Sequence, residues 1–181
     1  MRLIGAFVAV GVASACSIDE PHNSVITAQP YIGLEERVHR QELKQLVGVD
    51  PVRVEWCAAF VNAVLELDGI PGSDSISEHP LMARSFLSWG NKVEPADIQR
   101  GDIVVFPRGN AGWQGHVGFF VEEQDGQWII LGGNQSNEVR YDFYSPNRAL
   151  GIRRSKTQML DRQEPRNLLS RLASATTSRG D

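Results

Sequence analysis

Apolar positions recur at helical spacing through the first half of the chain and alternate through the second, with the change of period near residue 102. In LEERVHRQELKQLVG, the residues Leu34, Val38, Leu43, Leu46 and Val47 fall roughly on one helical face and Gly48 stops the run. In WCAAFVNAVLELDG, the residues Trp56, Phe60, Ala63, Val64 and Leu67 share a face and Gly69 ends it, which predicts a helix with Cys57 in its first turn. LMARSFLSWG predicts a third, short helix closed by Gly90. Beyond it, DIVVFP, HVGFFVEE, QWIILGG, EVRYDFY and ALGIRR alternate as strands do, with Gly, Asn or Pro between them. Asp125-Gly126 is a hairpin signal, because both residues tolerate positive φ. Helices first and antiparallel strands afterwards predict an α+β domain.

The ends of the chain follow neither period. Arg2 precedes the apolar LIGAFVAVGVASA, and Ala13-Ser14-Ala15 fits the small-residue pattern of an export-signal cleavage site, so residues 1–15 are expected to be a signal peptide. The uncharged run from Leu3 to Ile18 falls short of the roughly 20 residues a spanning helix needs. Cys16 directly follows the small residues, as in a bacterial lipobox, although Ala13 stands where such sites commonly have Leu. Simple cleavage near Cys16 and lipidation of Cys16 both remain open, and a lipid there would be the chain's only membrane contact. Residues 16–33 read as a polar linker with Pro21 and Pro30, residues 34–154 as the folded domain, and residues 155–181 as a polar tail, mostly disordered.

With 181 residues the chain has enough length for one core without a structural metal or disulfides. A net charge of −4 gives no electrostatic footprint for nucleic acid, and no basic stripe with interleaved aromatics is present. An exported chain with two cysteines admits a disulfide. Loss or lipidation of Cys16 would instead leave Cys57 as the sole thiol, which suits a nucleophile better than a staple.

A thiol at a helix N-terminus can become a thiolate at neutral pH, because backbone N–H groups and the helix dipole favour negative charge there. Against this, a lone cysteine is often a small buried hydrophobe. Of the four histidines, His22 lies in the linker, His39 on the charged side of a helix and His79 before Pro80, which leaves His116 at a strand start as the candidate base. A base needs a partner for its far ring nitrogen. Asn134 offers a side-chain carbonyl, and Gln135 is the second choice. Trp56, Trp113 and Gln135 are the candidate substrate contacts. Glu55 either caps the helix or contacts substrate, and Asp102 reads as a strand-start residue. No metal ligand set is visible, since CxxC, HExxH and close His pairs are missing from the sequence, and no cofactor is implied.

The blocks WCAAFVNAVLELDGIPG, ARSFLSWG, GDIVVFPRG, GHVGFFV, LGGNQSNEV and GIRR, in this order over roughly residues 34 to 154, closely resemble the NlpC-type and CHAP superfamily of bacterial and phage cysteine peptidases and amidases. The resemblance implies a papain-like α+β fold, with the cysteine opening a helix packed on an antiparallel sheet and the histidine beginning a strand. It implies Cys57, His116 and Asn134 as the catalytic residues, no cofactor, and peptidoglycan as the substrate, cut at an amide of the stem peptide or cross-link in the periplasm or cell envelope. The alternative is a non-catalytic wall-binding or scaffolding protein that keeps the fold.

Overall fold

The computed structural model describes residues 23–156. Three α-helices lead: α1 (Ser24–Ala28), α2 (Arg40–Val47) and α3 (Cys57–Leu67). Helix α3 is apolar nearly all round, burying Cys57, Ala58, Ala59, Phe60, Val61, Ala63, Val64 and Leu65. A helix of that composition belongs inside a domain rather than on its rim. It packs against α1 and α2 on one side and the sheet on the other.

The strands are β1 (Asn91–Val93), β2 (Ile103–Pro107), β3 (Gly115–Gln124), β4 (Gln127–Gln135), β5 (Glu138–Tyr144) and β6 (Gly151–Arg154). They form one antiparallel sheet in the order β1-β6-β2-β3-β4-β5. Its two faces explain the nearly unbroken apolar run IVVF of β2: Ile103 and Val105 join the helical core, whereas Val104 and Phe106 face a second cluster with Phe120, Trp128 and Ile130. Both sides of the strand are buried, so alternation of polar residues disappears there. The β3–β4 hairpin turns on Asp125 and Gly126, with φ of 52° and 73°, as the sequence predicts. Ser136 and Asn137 make a second left-handed two-residue turn into β5.

The expected linker over 16–33 is overturned from residue 23 onward. Asn23 caps α1 by accepting from the Val25 N–H at 3.1 Å, and Val25 and Ala28 are fully buried. Ser24 and Thr27 donate to the Asp68 carboxylate beyond the end of α3, at 2.6 and 2.5 Å. The two contacts to Asp68 were illegible because they join residues 44 and 41 positions apart. The expected signal peptide, Cys16 and nearly all of the expected tail lie outside the described residues.

The first expected helix is shorter than its pattern. Leu34 and Glu35 pair with the start of β5 instead, through Val139 N–H to the Leu34 carbonyl at 3.0 Å and a bridge between Glu35 and Glu138. Val38 consequently stands exposed rather than on a buried face, and Leu67, the last residue of α3, is exposed as well. The third expected helix is a 3₁₀ segment, Ala83–Ser88, and strand β1 was not foreseen. Among the described residues no helix is long and apolar enough to cross a membrane.

Asp102 closes the sheet, as a structural residue. It accepts from Arg154 Nε at 2.7 Å and Nη2 at 2.6 Å, and both side chains are buried. Asp102→Asn leaves the guanidinium charge uncompensated, and a loss of about 3 kcal/mol in unfolding free energy is expected by urea denaturation. A loss below about 1 kcal/mol would show that solvent reaches the pair.

Candidate active site

Cys57 is the first residue of α3, where the polar stretch RVE gives way to the apolar run. The start of that helix is fixed by Trp56. Its indole is fully buried, donates from Nε1 to Glu36 Oε2 at 3.3 Å, and meets Phe60 edge to face at 6.4 Å. The end of β4 reaches this corner only because residue 133 is glycine. A Cβ there would lie 2.5 Å from the Trp56 ring and 2.7 Å from Phe60 Cβ. Trp56 therefore belongs to the core and does not contact substrate, a correction to the reading from sequence.

The thiol is only 2% exposed. Burial pushes it above its ordinary range, against the Arg108 charge and the backbone N–H groups of Val117 and Ala58, which favour the thiolate. The expectation of a thiolate at neutral pH is corrected accordingly: the resting group is a thiol. The Val117 N–H at the sulfur places Cys57 against the residue that follows His116 on β3.

His116 is buried, and burial pulls its imidazole down to about 4, against its hydrogen bond to Gln135, which favours the proton. Its Nε2 lies 3.0 Å from Gln135 Oε1. The tautomer follows from the glutamine. Gln135 Nε2 donates to the backbone carbonyls of Ile130 at 3.2 Å and Arg140 at 2.5 Å, so the amide cannot flip and its oxygen must face the histidine. An oxygen only accepts, so His116 carries its proton on Nε2 and keeps a lone pair on Nδ1. Tyr144 holds the same unit. Its hydroxyl donates to Gln135 Oε1 at 3.0 Å, and its ring stacks between His116, at 5.6 Å and 10°, and Phe106, at 4.4 Å and 23°.

The structure thus brings Gln135, and not Asn134, to the imidazole. Asn134 donates from Nδ2 to Glu55 Oε2 at 2.7 Å. The cause is a register shift in β4. Gly132 pairs with Arg140 and Gln135 with Glu138, so Gly133 and Asn134 together oppose Val139. The extra residue, with Asn134 at φ 58°, moves Gln135 to the face carrying His116 and Tyr144. Gln135 is buried against His116 and offers a ligand no exposed surface, where the sequence reading expects a substrate contact.

Glu55 does not cap α3. Besides Asn134, it meets Arg108, whose Nη1 lies 2.7 Å from Oε2 as an ion-pair contact without hydrogen-bond alignment. A cleft of about 330 Å³ opens beside this pair, lined by Cys57, Glu55, Met82, Arg108, Trp113 and Gln114. Trp113 is 63% exposed at its rim, where the sequence reading expects a substrate contact. A polar hollow of about 240 Å³ lies beyond Glu55 and Asn134, lined also by Glu36, Arg53 and Asn137. Sequence reasoning missed Arg108 and Tyr144. Arg108 stands in GDIVVFPRG but carries no signal of its direction, and Tyr144 is the last of several aromatics in a strand. Among the described residues no group of three or more His, Cys, Asp or Glu side chains could hold a metal ion.

Residues 49–134 match the CHAP domain family. Among solved structures, the chain is similar to an NlpC/P60 family protein from Bacillus cereus ATCC 10987, at 17% identity and a TM-score of 0.47 over 73% of this chain and 39% of that one. It is also similar to NlpC1 from Trichomonas vaginalis, at 21% identity and a TM-score of 0.49 over 76% of this chain and 46% of that one. This chain spans less than half the length of either. No curated protein matches it.

Proposed function

We propose that this chain, whose residues 49–134 match the CHAP domain family, is a cysteine peptidase or amidase of that kind and hydrolyses peptidoglycan through Cys57, His116 and Gln135. The family suggests an extracellular or envelope location. One observation carries the reading: a thiol at a helix start takes the Val117 N–H, while His116, the residue before Val117, is held by Gln135 through Nε2, which leaves Nδ1 unprotonated.

His116 Nδ1 takes the thiol proton as Cys57 Sγ attacks the amide carbonyl of a stem peptide or cross-link. The imidazolium then protonates the leaving amine. Water, deprotonated by the same nitrogen, hydrolyses the thioester, and the acid leaves with Cys57 restored. The developing oxyanion meets backbone N–H groups at the start of α3, since donors fixed there cost no reorganisation. The buried, neutral pair makes proton transfer part of the attack rather than a step completed beforehand.

The base works only when neutral, so its low proton affinity sets the acid limit. Activity on soluble muropeptides is expected to persist at pH 5 and to fall around pH 4, where His116 becomes protonated. An acid limb near pH 6.5 would refute a buried His116 base.

Gln135→Leu leaves the buried Nε2–H without an acceptor, and kcat is expected to fall about 10- to 100-fold. The same substitution removes the bond that favours the imidazolium, so the acid limb should move further down. Asn134→Ala, acting on Glu55 alone, is expected to move neither value as far. Loss of activity in Asn134→Ala with Gln135→Leu intact would reverse these two assignments.

A further inference from the structure

Glu55 lies between the cleft that contains Cys57 and the polar hollow beyond Asn134, and it lines both. One of its oxygens, Oε2, takes Asn134 Nδ2 and Arg108 Nη1, each at 2.7 Å. The side chain is nevertheless 70% exposed, so this contact is screened by water and weakly held. Arg108 is less satisfied than the distance implies. Its Nη1 is shielded from solvent and has no aligned hydrogen bond to Glu55 or any other described group. A guanidinium presents paired donors in a fixed fork that matches one carboxylate edge on, and Glu55 offers it a single oxygen out of line. The wall of the cleft beside the nucleophile therefore holds a cation better suited to a ligand than to its present partner.

We propose that Arg108 recognises a free carboxylate on the substrate close to the scissile amide, and that Glu55 occupies this position in the unliganded protein until the substrate carboxylate replaces it. This deepens the hydrolase reading and rests on it for the word substrate. The chemistry is that of peptides carrying unamidated side-chain or terminal carboxyl groups. Displaced Glu55 keeps its bond to Asn134 and remains at the edge of the neighbouring hollow. Trp113 and Met82 line the same cleft and supply apolar surface for the rest of the chain.

The test uses one set of soluble muropeptides in free-acid form and after conversion of their carboxyls to carboxamides. Binding is measured by calorimetry with Cys57→Ala and with the double variant Cys57→Ala/Arg108→Gln, so that the result does not depend on turnover. The free-acid form is expected to bind Cys57→Ala about 10-fold tighter than the amide, the difference a charge-assisted bidentate contact commonly makes. The double variant should bind both forms alike. In kinetics on the same pair, Glu55→Gln should lower KM for the free acid, because the internal competitor has lost its charge, and should leave KM for the amide nearly as it was. Equal binding of acid and amide by Cys57→Ala, or an acid preference that survives Arg108→Gln, overturns the assignment of Arg108. Failure of the wild-type protein to cleave either form counts against the hydrolase reading, and the binding ratio still decides whether Arg108 is a carboxylate site.

Discussion

Replacing Cys57 by alanine is expected to reduce release of soluble fragments from purified peptidoglycan by about 10⁶-fold, the loss seen when one member of a nucleophile and base acting as a unit is removed. Nothing else described in the cleft can form the thioester. His116 alone could activate water, but only without the covalent intermediate that divides the reaction into two easier steps. The variant should fold as the parent does, since alanine removes one sulfur from a helix start that Trp56, Phe60 and Gly133 hold in place. Circular dichroism and the thermal midpoint establish this beside the assay. Fragment release by a folded Cys57→Ala protein at even a hundredth of the parent rate would remove Cys57 as nucleophile. The hydrolysis would then proceed without a Cys57 thioester.

Trp56→Ala is expected to cost about 4 kcal/mol of unfolding free energy. Its indole is fully buried, it touches Phe60 and the backbone near Gly133, and its Nε1–H is a donor to the buried Glu36 carboxylate. Removal leaves a large cavity and an anion deprived of that bond. In a domain of this size the thermal midpoint should fall by roughly 10 °C. Trp56→Phe separates the two contributions, keeping most of the volume while losing the Glu36 bond. A cost below about 1 kcal/mol for the alanine variant would mean that the start of α3 is held by something other than the indole. The same experiment bears on function, because a loosened helix start displaces Cys57 from the Val117 N–H.

Trp56 also shows how a reading from sequence goes astray. An aromatic residue beside a nucleophile fits a substrate contact and a core residue equally well, and helical periodicity places Trp56 on the face shared with Phe60. Only packing distinguishes the two: β4 passes so close that a glycine is required at position 133. The protonation state of Cys57 has the same character. The helix start argues for a thiolate, while burial in the folded chain, with the Val117 N–H of β3 at the sulfur, outweighs it.

What the sequence by itself determined is the order and kind of the elements that carry chemistry. The apolar run after RVE makes a helix beginning at Cys57, and the alternation after GHV makes a strand beginning near His116. Asp125-Gly126 turns that strand back on itself, and the fold class follows because these signals are local. What the tertiary structure alone decided is which neighbour of β4 meets the imidazole. Strand side chains alternate faces with a period of two, so one inserted residue exchanges Asn134 for Gln135 at the base. That insertion is set by pairing with β5 and by the close approach of α3 at Gly133, two contacts that belong to the folded chain and have no mark in the spacing of its residues.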